Sequence, residues 1–103
     1  MSILSVLFGK KENTELVEAL QNNAFLVDVR TPAEFSAGSV DGAVNIPLSQ
    51  VKSQLKKFKG KKNIVVFCRS GARSAQAKQI LEQNGIQSVI NGRSAKHVEA
   101  AKK

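Results

Sequence analysis

The sequence lacks several residue types that mark common classes of binding protein. Its 103 residues include one cysteine, one histidine and five phenylalanines, with no tryptophan and no tyrosine. A single cysteine excludes a disulfide framework within the chain, and one histidine beside it excludes the usual Cys/His zinc sites. The shortage of aromatic rings argues against a surface on which nucleic-acid bases stack. An unpaired cysteine is typical of a reducing compartment, so we expect a cytoplasmic protein.

Long apolar runs are absent too. No stretch approaches the ~18 apolar residues that cross a bilayer, so we expect no stable membrane insertion. The apolar residues 1–8 have no basic residues before them, and Gly9, Lys10 and Lys11 follow in place of a small-residue cleavage site, which argues against a secretory signal. We expect one domain over residues 1–103, with residues 1–12 as a loosely packed amino-terminal segment.

Acidic residues are scarce in the second part of the chain. Residues 1–41 hold six acidic and three basic residues, whereas residues 42–103 hold two acidic and thirteen basic ones. The formal net charge of +8 therefore comes from the second part, which predicts attraction to nucleic acid, to an acidic membrane surface or to an anionic substrate. Six of the bases are Lys52, Lys56, Lys57, Lys59, Lys61 and Lys62. We interpret this lysine run as a solvated face. The alternatives are a docking patch for an acidic protein partner and a positive field that raises the local concentration of anions.

Strands and helices are predicted to alternate along the chain. Short apolar runs with β-branched residues predict strands at residues 25–29, 43–46, 63–67 and 88–90. Helices are predicted at residues 14–20, 49–58, 74–84 and 94–101. This order predicts an α/β fold, with a mostly parallel central sheet and helices on both faces.

Local capping patterns predict where several helices begin and end. Thr31, Pro32 and Glu34 form a capping-box pattern for a further short helix that Gly38 ends. The remaining signals are the amino-terminal caps Asn13 and Ser49, the carboxyl-terminal cap Gly85 and the turn Asn91–Gly92.

Two segments are predicted to lie where parallel sheets bind ligands, beyond the carboxyl ends of their strands. One is Asp28-Val-Arg30, and the other begins at Cys68, directly after an apolar strand. A loop of small residues with two arginines separates Cys68 from the helix predicted at Ser74. We expect the backbone N–H groups of this loop and the helix amino terminus to favour the thiolate of Cys68. Arg69 and Arg73 would add fixed positive charge and bind an anionic substrate.

Each of these residues also has a structural interpretation. A lone cysteine after a strand is most often a small buried apolar residue, but two guanidinium groups, a glycine and a helix start close by favour a nucleophile. For Asp28 and Arg30 we favour a structural role, with Arg30 paired to an acidic residue such as Glu34. His97, the only histidine, has no visible partner and is interpreted as a surface or helix-terminus residue.

Four segments match a known family in the same order. They are Asp28-Val-Arg30, Thr31-Pro-Ala-Glu-Phe35, Gly38-Ser-Val-Asp-Gly-Ala-Val-Asn-Ile-Pro47 and Val65-Val-Phe-Cys-Arg-Ser-Gly-Ala-Arg-Ser74. Together they resemble the single-domain rhodanese-like sulfurtransferases over residues 25–90. The resemblance implies a rhodanese-like fold for this chain.

The resemblance also implies an activity. Cys68 would take a sulfane sulfur from thiosulfate or a persulfide donor, carry it as a persulfide, and pass it to cyanide or a thiol, with no metal or organic cofactor. The expected substrate-binding residues are Arg69, Ser70, Gly71, Ala72 and Arg73, and the expected structural support comes from Asp28, Arg30 and Ser74. The alternative is a non-catalytic persulfide carrier or partner-docking module in a sulfur relay.

The spacing of Cys68 and Arg73 separates this family from cysteine phosphatases of similar fold. Those enzymes need Cys-x5-Arg around a tetrahedral phosphate, whereas this chain has Cys-x4-Arg. The resemblance implies that the shorter loop suits a single sulfur carried on cysteine. The departures from the family pattern are Ser39 in place of a frequent His, Ser70 in place of the Lys of thiosulfate enzymes, and Asn91-Gly92-Arg93 in place of Gly-Gly followed by Trp. We expect no nucleic-acid partner, because only one aromatic residue, Phe58, lies among the lysines.

Overall fold

The computed structural model describes residues 14–102, so the predicted segment 1–12 and the predicted cap Asn13 lie outside the described residues. The strands are β1 (Phe25–Asp28), β2 (Val44–Asn45), β3 (Ile64–Cys68) and β4 (Val89–Ser94). The helices are α1 (residues 14–21), α2 (Pro32–Ala37), α3 (Leu48–Val51), α4 (Ala72–Gln83) and α5 (Ala95–Ala101), with a 3₁₀ helix at Lys52–Lys57. Within residues 14–102, no helix has the length and apolarity to cross a bilayer.

The four strands form one parallel sheet in the order β2-β1-β3-β4. One face of the sheet packs on α3 and α4 through Val51, Ala77 and Leu81. The other face packs on α1 and α5 through Leu16 and Val98. All residues of β3 are buried, which is typical of a central strand covered on both sides. The predicted α/β fold, with a parallel sheet between two helical layers, is confirmed.

The register brings the ends of three strands together. Asp28 pairs with Phe67, and Cys68 pairs with Ser94. Successive residues of a strand point to opposite faces, so Phe67 belongs to the core beneath α5 while Cys68 belongs to the core beneath α4. Asp28, Cys68 and Ser94 therefore lie at the carboxyl edge of the sheet, where parallel sheets bind ligands.

Three predicted helix boundaries are confirmed. At the start of α2, the Thr31 hydroxyl accepts the Glu34 N–H while the Glu34 carboxylate accepts the Thr31 N–H, which completes the predicted capping box. Gly38 ends α2, as predicted. α4 ends where the Gly85 N–H donates to the Glu82 carbonyl, and this cap needs the left-handed backbone that glycine adopts here at φ 82°.

The helix predicted over residues 49–58 with Ser49 as its cap is wrong in two respects. The helix begins at Leu48, because the Leu48 N–H donates to the Val29 carbonyl and ties the first turn to the sheet. It also breaks after four residues into a 3₁₀ segment, in which Gln54 has non-helical angles (φ −119°, ψ 32°). Phe58, which follows the break, is fully buried. The chain therefore follows the course that buries this ring and not the course of a regular helix.

The turn predicted at Asn91–Gly92 is also wrong, because both residues belong to β4. Asn91 pairs with Val66 and Arg93 pairs with Phe67, so Gly92 is an extra residue in a β-bulge. A side chain at Gly92 would put its Cβ 2.7 Å from Val98 of α5. The close approach of α5 therefore requires glycine at this position. β4 does not turn here but stays paired with β3 as far as Cys68.

Candidate active site

Cys68 is the last residue of β3, and its surroundings leave it only 1% exposed. The chain then turns sharply, and α4 begins at Ala72, two residues before the predicted start at Ser74. Gly71 makes this turn with φ 103°, a backbone region that other residues rarely adopt. The turn aims the Gly71 N–H at the cysteine, 3.0 Å from Sγ. A strand, a glycine turn and a helix start thus create a donor that faces the sulfur.

Hydrogen bonds outweigh burial at this thiol. Burial raises the pKa of Cys68, but donation by the Ser74 hydroxyl and by the N–H groups of Ser74, Gly71 and Ser70 lowers it, so that the pKa falls to about 7. Near neutral pH a large share of Cys68 is therefore thiolate, the form that acts as a nucleophile.

Ser74, which is predicted as a supporting residue, lies within hydrogen-bonding distance of the Cys68 sulfur. Its Oγ is 3.5 Å from Cys68 Sγ, 3.1 Å from the Gly71 carbonyl and 2.6 Å from Asn91 Oδ1. Asn91 also donates through Nδ2 to the Gly71 carbonyl at 3.3 Å and accepts the Arg93 N–H at 2.9 Å. A network of side chains from α4 and β4 therefore surrounds the turn that holds the sulfur.

Asn91 is a residue of the site that sequence reasoning missed, since it was assigned to a turn. A longer predicted last strand would have placed this residue in the site. Extending the predicted strand 88–90 by one residue puts Asn91 at the carboxyl end of the strand next to β3, among the other candidate residues.

Arg73 is paired with a carboxylate, although its side chain remains 34% exposed. Its Nη1 and Nη2 donate to the two oxygens of Glu34 at 2.7 and 3.0 Å. This donation, followed by that of the Thr31 N–H, lowers the pKa of Glu34 to about 2. The sequence predicts that the guanidinium group of Arg73 binds a substrate, but in the structure this group binds Glu34. Arg73 is still near enough to Cys68 for the charge of the cysteine to act on the guanidinium group.

The other residues predicted to bind substrate lie around the loop without reaching the sulfur through their side chains. Arg69 and Ser70 are exposed at its tip, and Ala72 is exposed at the first turn of α4. Arg69 takes part in none of the side-chain hydrogen bonds or ion pairs found among residues 14–102. It is therefore the available positive charge on this loop.

Asp28 and Arg30 form a pair of their own. The carboxylate of Asp28 is fully buried and accepts from Arg30 Nη2 at 2.6 Å and from the Ser39 hydroxyl at 2.8 Å. Arg30 also donates to the Gly38 carbonyl at 2.7 Å. The expected pairing of Arg30 with Glu34 is wrong, because Asp28 is nearer and Glu34 is already bound to the arginine of α4.

Two residues that support this pair were missed as well. Ser39 binds the Asp28 carboxylate, and Asn45 Nδ2 donates to the carbonyls of Asp28 and Arg30 at 2.9 and 3.0 Å. They join the loop after α2 and the strand β2 to the end of β1. His97, in contrast, lies half-buried in the first turn of α5, where its backbone N–H donates to the Ser94 hydroxyl.

Comparison with known proteins identifies the family. A model of the rhodanese-like domain family matches residues 12–94. The uncharacterized protein YqhL of Bacillus subtilis is 41% identical over 68 residues, and a sulfurtransferase of Allochromatium vinosum is 38% identical over 69 residues. These matches cover 66% and 67% of this chain, which spans 54% and 64% of the length of the two relatives. The thiosulfate sulfurtransferase PspE of Escherichia coli is 37% identical over 78 residues, with 74% of this chain and 75% of PspE covered.

Solved structures share the fold. A rhodanese with anions from E. coli superposes with a TM-score of 0.66 at 37% identity, covering 72% of this chain and 89% of that one. The human single-domain sulfurtransferase TSTD1 superposes with a TM-score of 0.66 at 29% identity, covering 87% of this chain and 93% of that one. Because the family model matches most of the sequence and both structures share its fold, this chain belongs to the rhodanese-like domain family.

Proposed function

We propose that this protein is a rhodanese-type sulfurtransferase that carries a sulfane sulfur on Cys68 between an anionic donor and a thiol or cyanide. The observation that carries the proposal is the buried sulfur of Cys68 with the Gly71 N–H 3.0 Å away. A thiolate and a persulfide are both anions, so the same donors would stabilise both states of the cysteine. The sulfurtransferases among the relatives support this assignment.

The reaction balances without an oxidant or a metal. The Cys68 thiolate attacks the outer sulfur of thiosulfate, the bond between the two sulfurs of the donor breaks, and sulfite leaves with its electron pair. Cys68 is then a persulfide anion. An acceptor thiolate or cyanide next attacks the outer sulfur of the persulfide, and the Cys68 thiolate is the leaving group.

The surrounding residues have separate roles in this proposal. Gly71 and Ser74 donate hydrogen bonds to the sulfur, and the exposed Arg69 attracts the anionic donor. Asp28 and Arg30 hold the end of β1 and the loop after α2 in place.

A sulfur-loading measurement tests the proposal. Purified protein is incubated with thiosulfate or with a small persulfide, and its intact mass is compared with that of the Cys68→Ser variant. We expect the wild-type protein to gain one sulfur atom and the variant to gain none. No gain with either donor, or full loading of the variant, would remove the proposed function.

A persulfide carrier served by a protein donor is a second candidate, and one observation favours it. Arg73 is neutralised by Glu34, so less positive charge is available for a small dianion such as thiosulfate than the two arginines of the loop suggest. A protein persulfide carries less charge and is positioned by its own surface. Steady-state turnover with thiosulfate and cyanide, compared with single transfer from a protein persulfide, separates the enzyme from the carrier.

A further inference from the structure

Asn91 contacts the groups around the sulfur without reaching the sulfur itself. It binds the hydroxyl of Ser74 and the carbonyl of Gly71, and both of these residues also have donors that face Cys68. We propose that Asn91 is a positioning residue that sets which atom receives the Ser74 proton and thereby tunes the reactivity of Cys68. The proposal deepens the proposed function and rests on it for its biological meaning.

The Ser74 hydroxyl has one proton and three neighbours that can accept it. Asn91 Oδ1 is the nearest at 2.6 Å, followed by the Gly71 carbonyl at 3.1 Å and Cys68 Sγ at 3.5 Å. Beside a neutral thiol, donation to Asn91 leaves the serine oxygen ready to accept the S–H. Beside a thiolate, the hydroxyl has to turn toward the sulfur to stabilise it.

The Ser74 hydroxyl can turn from one acceptor to another, because each acceptor that it leaves keeps another hydrogen-bond donor. Asn91 Oδ1 keeps the Arg93 N–H at 2.9 Å, and the Gly71 carbonyl keeps the Ala75 N–H at 2.9 Å. The Arg93 N–H can only donate, so the atom that it faces is the amide oxygen of Asn91. Both orientations of the Ser74 hydroxyl therefore have low cost, and the strength of Asn91 as an acceptor decides between them.

Asn91→Asp tests this balance with almost no change of shape. A carboxylate holds the Ser74 proton more strongly than an amide and should keep it away from the sulfur. We expect the pH midpoint of Cys68 alkylation by iodoacetamide to rise by about one unit, a tenfold loss of thiolate below the midpoint. Asn91→Ala removes the competing acceptor and should shift the midpoint the other way.

A double-variant cycle separates this route from the charge of the new carboxylate. If Asn91 acts through Ser74, Asn91→Asp should shift the midpoint less than half as far when it is combined with Ser74→Ala. Asn84→Asp at the end of α4, where Asn84 donates to the Ile80 carbonyl, should cause no shift. The charged and titratable groups on the neighbouring elements, all unchanged in these variants, are Glu15, Asp28, Arg30, Glu34, Arg69, Arg73, Lys78, Glu82, Arg93 and His97.

Equal shifts with and without the Ser74 hydroxyl, or an upward shift with Asn91→Ala as large as that with Asn91→Asp, would overturn the role of Asn91. Alkylation reports the thiol alone and sulfur loading reports transfer. Normal alkylation shifts in a protein that takes up no sulfur would therefore refute the proposed function and keep the positioning role.

A second and independent observation concerns the lysine run, which the proposed function does not use. All six lysines are exposed, and the sequence has no acidic residue between Asp41 and Glu82. None of the ion pairs found within residues 14–102 includes one of these lysines. Their positive charge is therefore not balanced by carboxylates of the described residues.

Half of the run lies at the end of the sheet opposite Cys68. Lys59, Lys61 and Lys62 lie within the five residues before β3, whereas Cys68 is its last residue. Five strand residues span about 16 Å, more than the screening length of about 8 Å at physiological salt. These lysines thus contribute little to the field at the sulfur, and a partner bound to them would leave the Cys68 end accessible.

Two grooves flank the loop that carries these three lysines, which we call the basic end. One groove of about 510 Å³ lies between residues 58–62 and 84–88, and another of about 380 Å³ lies between residues 22–25 and 60–63. Among residues 14–102, no carboxylate lines either groove. The polar side chains that line them, besides the lysines, are Asn22, Asn23, Asn63, Asn84, Gln87 and Ser88.

We infer that the basic end binds an acidic polypeptide segment of a partner protein. Ammonium and amide donors without carboxylates complement a chain of glutamates and aspartates. Nucleic acid fits less well, since Phe58 is buried and Phe25 is partly buried beneath the Lys61 ammonium at 4.9 Å. A membrane surface fits less well too, because Val44, on β2, is the only exposed large apolar side chain among residues 14–102.

Binding of a fluorescent oligoglutamate peptide tests the inference. The variant with Lys59→Ala, Lys61→Ala and Lys62→Ala should bind about tenfold more weakly than wild type. A control with Lys78→Ala, Lys96→Ala and Lys102→Ala loses the same charge elsewhere and should bind nearly as well as wild type. Equal losses in both variants, or tighter binding of single-stranded DNA or phosphatidylserine vesicles than of the peptide at the same salt, would overturn it.

Discussion

Arg73 and Glu34, 39 residues apart in the sequence, are joined by two hydrogen bonds of 2.7 and 3.0 Å. The pair connects the first turn of α4 to the first turn of α2, beside the loop that holds Cys68. The same carboxylate accepts the Thr31 N–H and so caps α2. One glutamate therefore stabilises a helix start and also fixes the position of a guanidinium near the sulfur.

Glu34→Gln should make the protein less stable at neutral pH and not at low pH. The folded pKa of Glu34, about 2, lies below its ordinary value of 4.5. A lowered carboxyl pKa gives stability that is present above 4.5 and is lost as the pH falls through about 2. Urea unfolding of both proteins across this range should show a difference that shrinks between these two values.

Glu82→Gln is the matched control, because it removes an exposed carboxylate that forms none of the ion pairs found among residues 14–102. It should not reproduce the loss of stability at neutral pH. A constant difference between wild type and Glu34→Gln down to pH 2 would show that the charge of Glu34 is not what stabilises the fold.

Ser74→Ala should make Cys68 less reactive at neutral pH. The hydroxyl of Ser74 is the strongest of the donors that hold the pKa of Cys68 at about 7 rather than 9. Without it the midpoint of the alkylation rate should move upward, while the Gly71 N–H keeps it below that of a free cysteine. An unchanged midpoint in a folded variant would assign the lowered pKa to the backbone alone.

How far the site could be predicted depends on the range of each interaction. The capping box of Thr31 and Glu34 and the turn at Gly71 are local, so a few neighbouring residues determine them. The pairing of Glu34 with Arg73 joins distant segments and depends on how α2 packs beside α4. Asn91 was missed for a related reason, because the bulge at Gly92 exists only where α5 packs against β4.

Arg30→Met should cost about 3 kcal/mol of unfolding free energy, since it leaves a buried carboxylate without its ionic partner. The Asp28 side chain is fully buried, whereas the Arg30 side chain is 12% exposed. Adding Asp28→Asn to this variant removes the unpaired charge and should recover part of the loss. Arg69→Met, at an exposed arginine, is the control, and an equally small effect of both single variants would contradict the structural role of the pair.

Gly92→Ala should destabilise the fold by about 1–3 kcal/mol through overpacking. A Cβ at this position would lie 2.7 Å from Val98 Cγ2 and 2.9 Å from Val65 Cγ1, closer than packed atoms can approach. Val98→Ala removes the nearer of these methyl groups, so Gly92→Ala should cost less when the two are combined, and urea unfolding of the four proteins measures this coupling. If the cost of Gly92→Ala were the same with and without the Val98 side chain, the overpacking would lie against Val65 of β3 and not against α5.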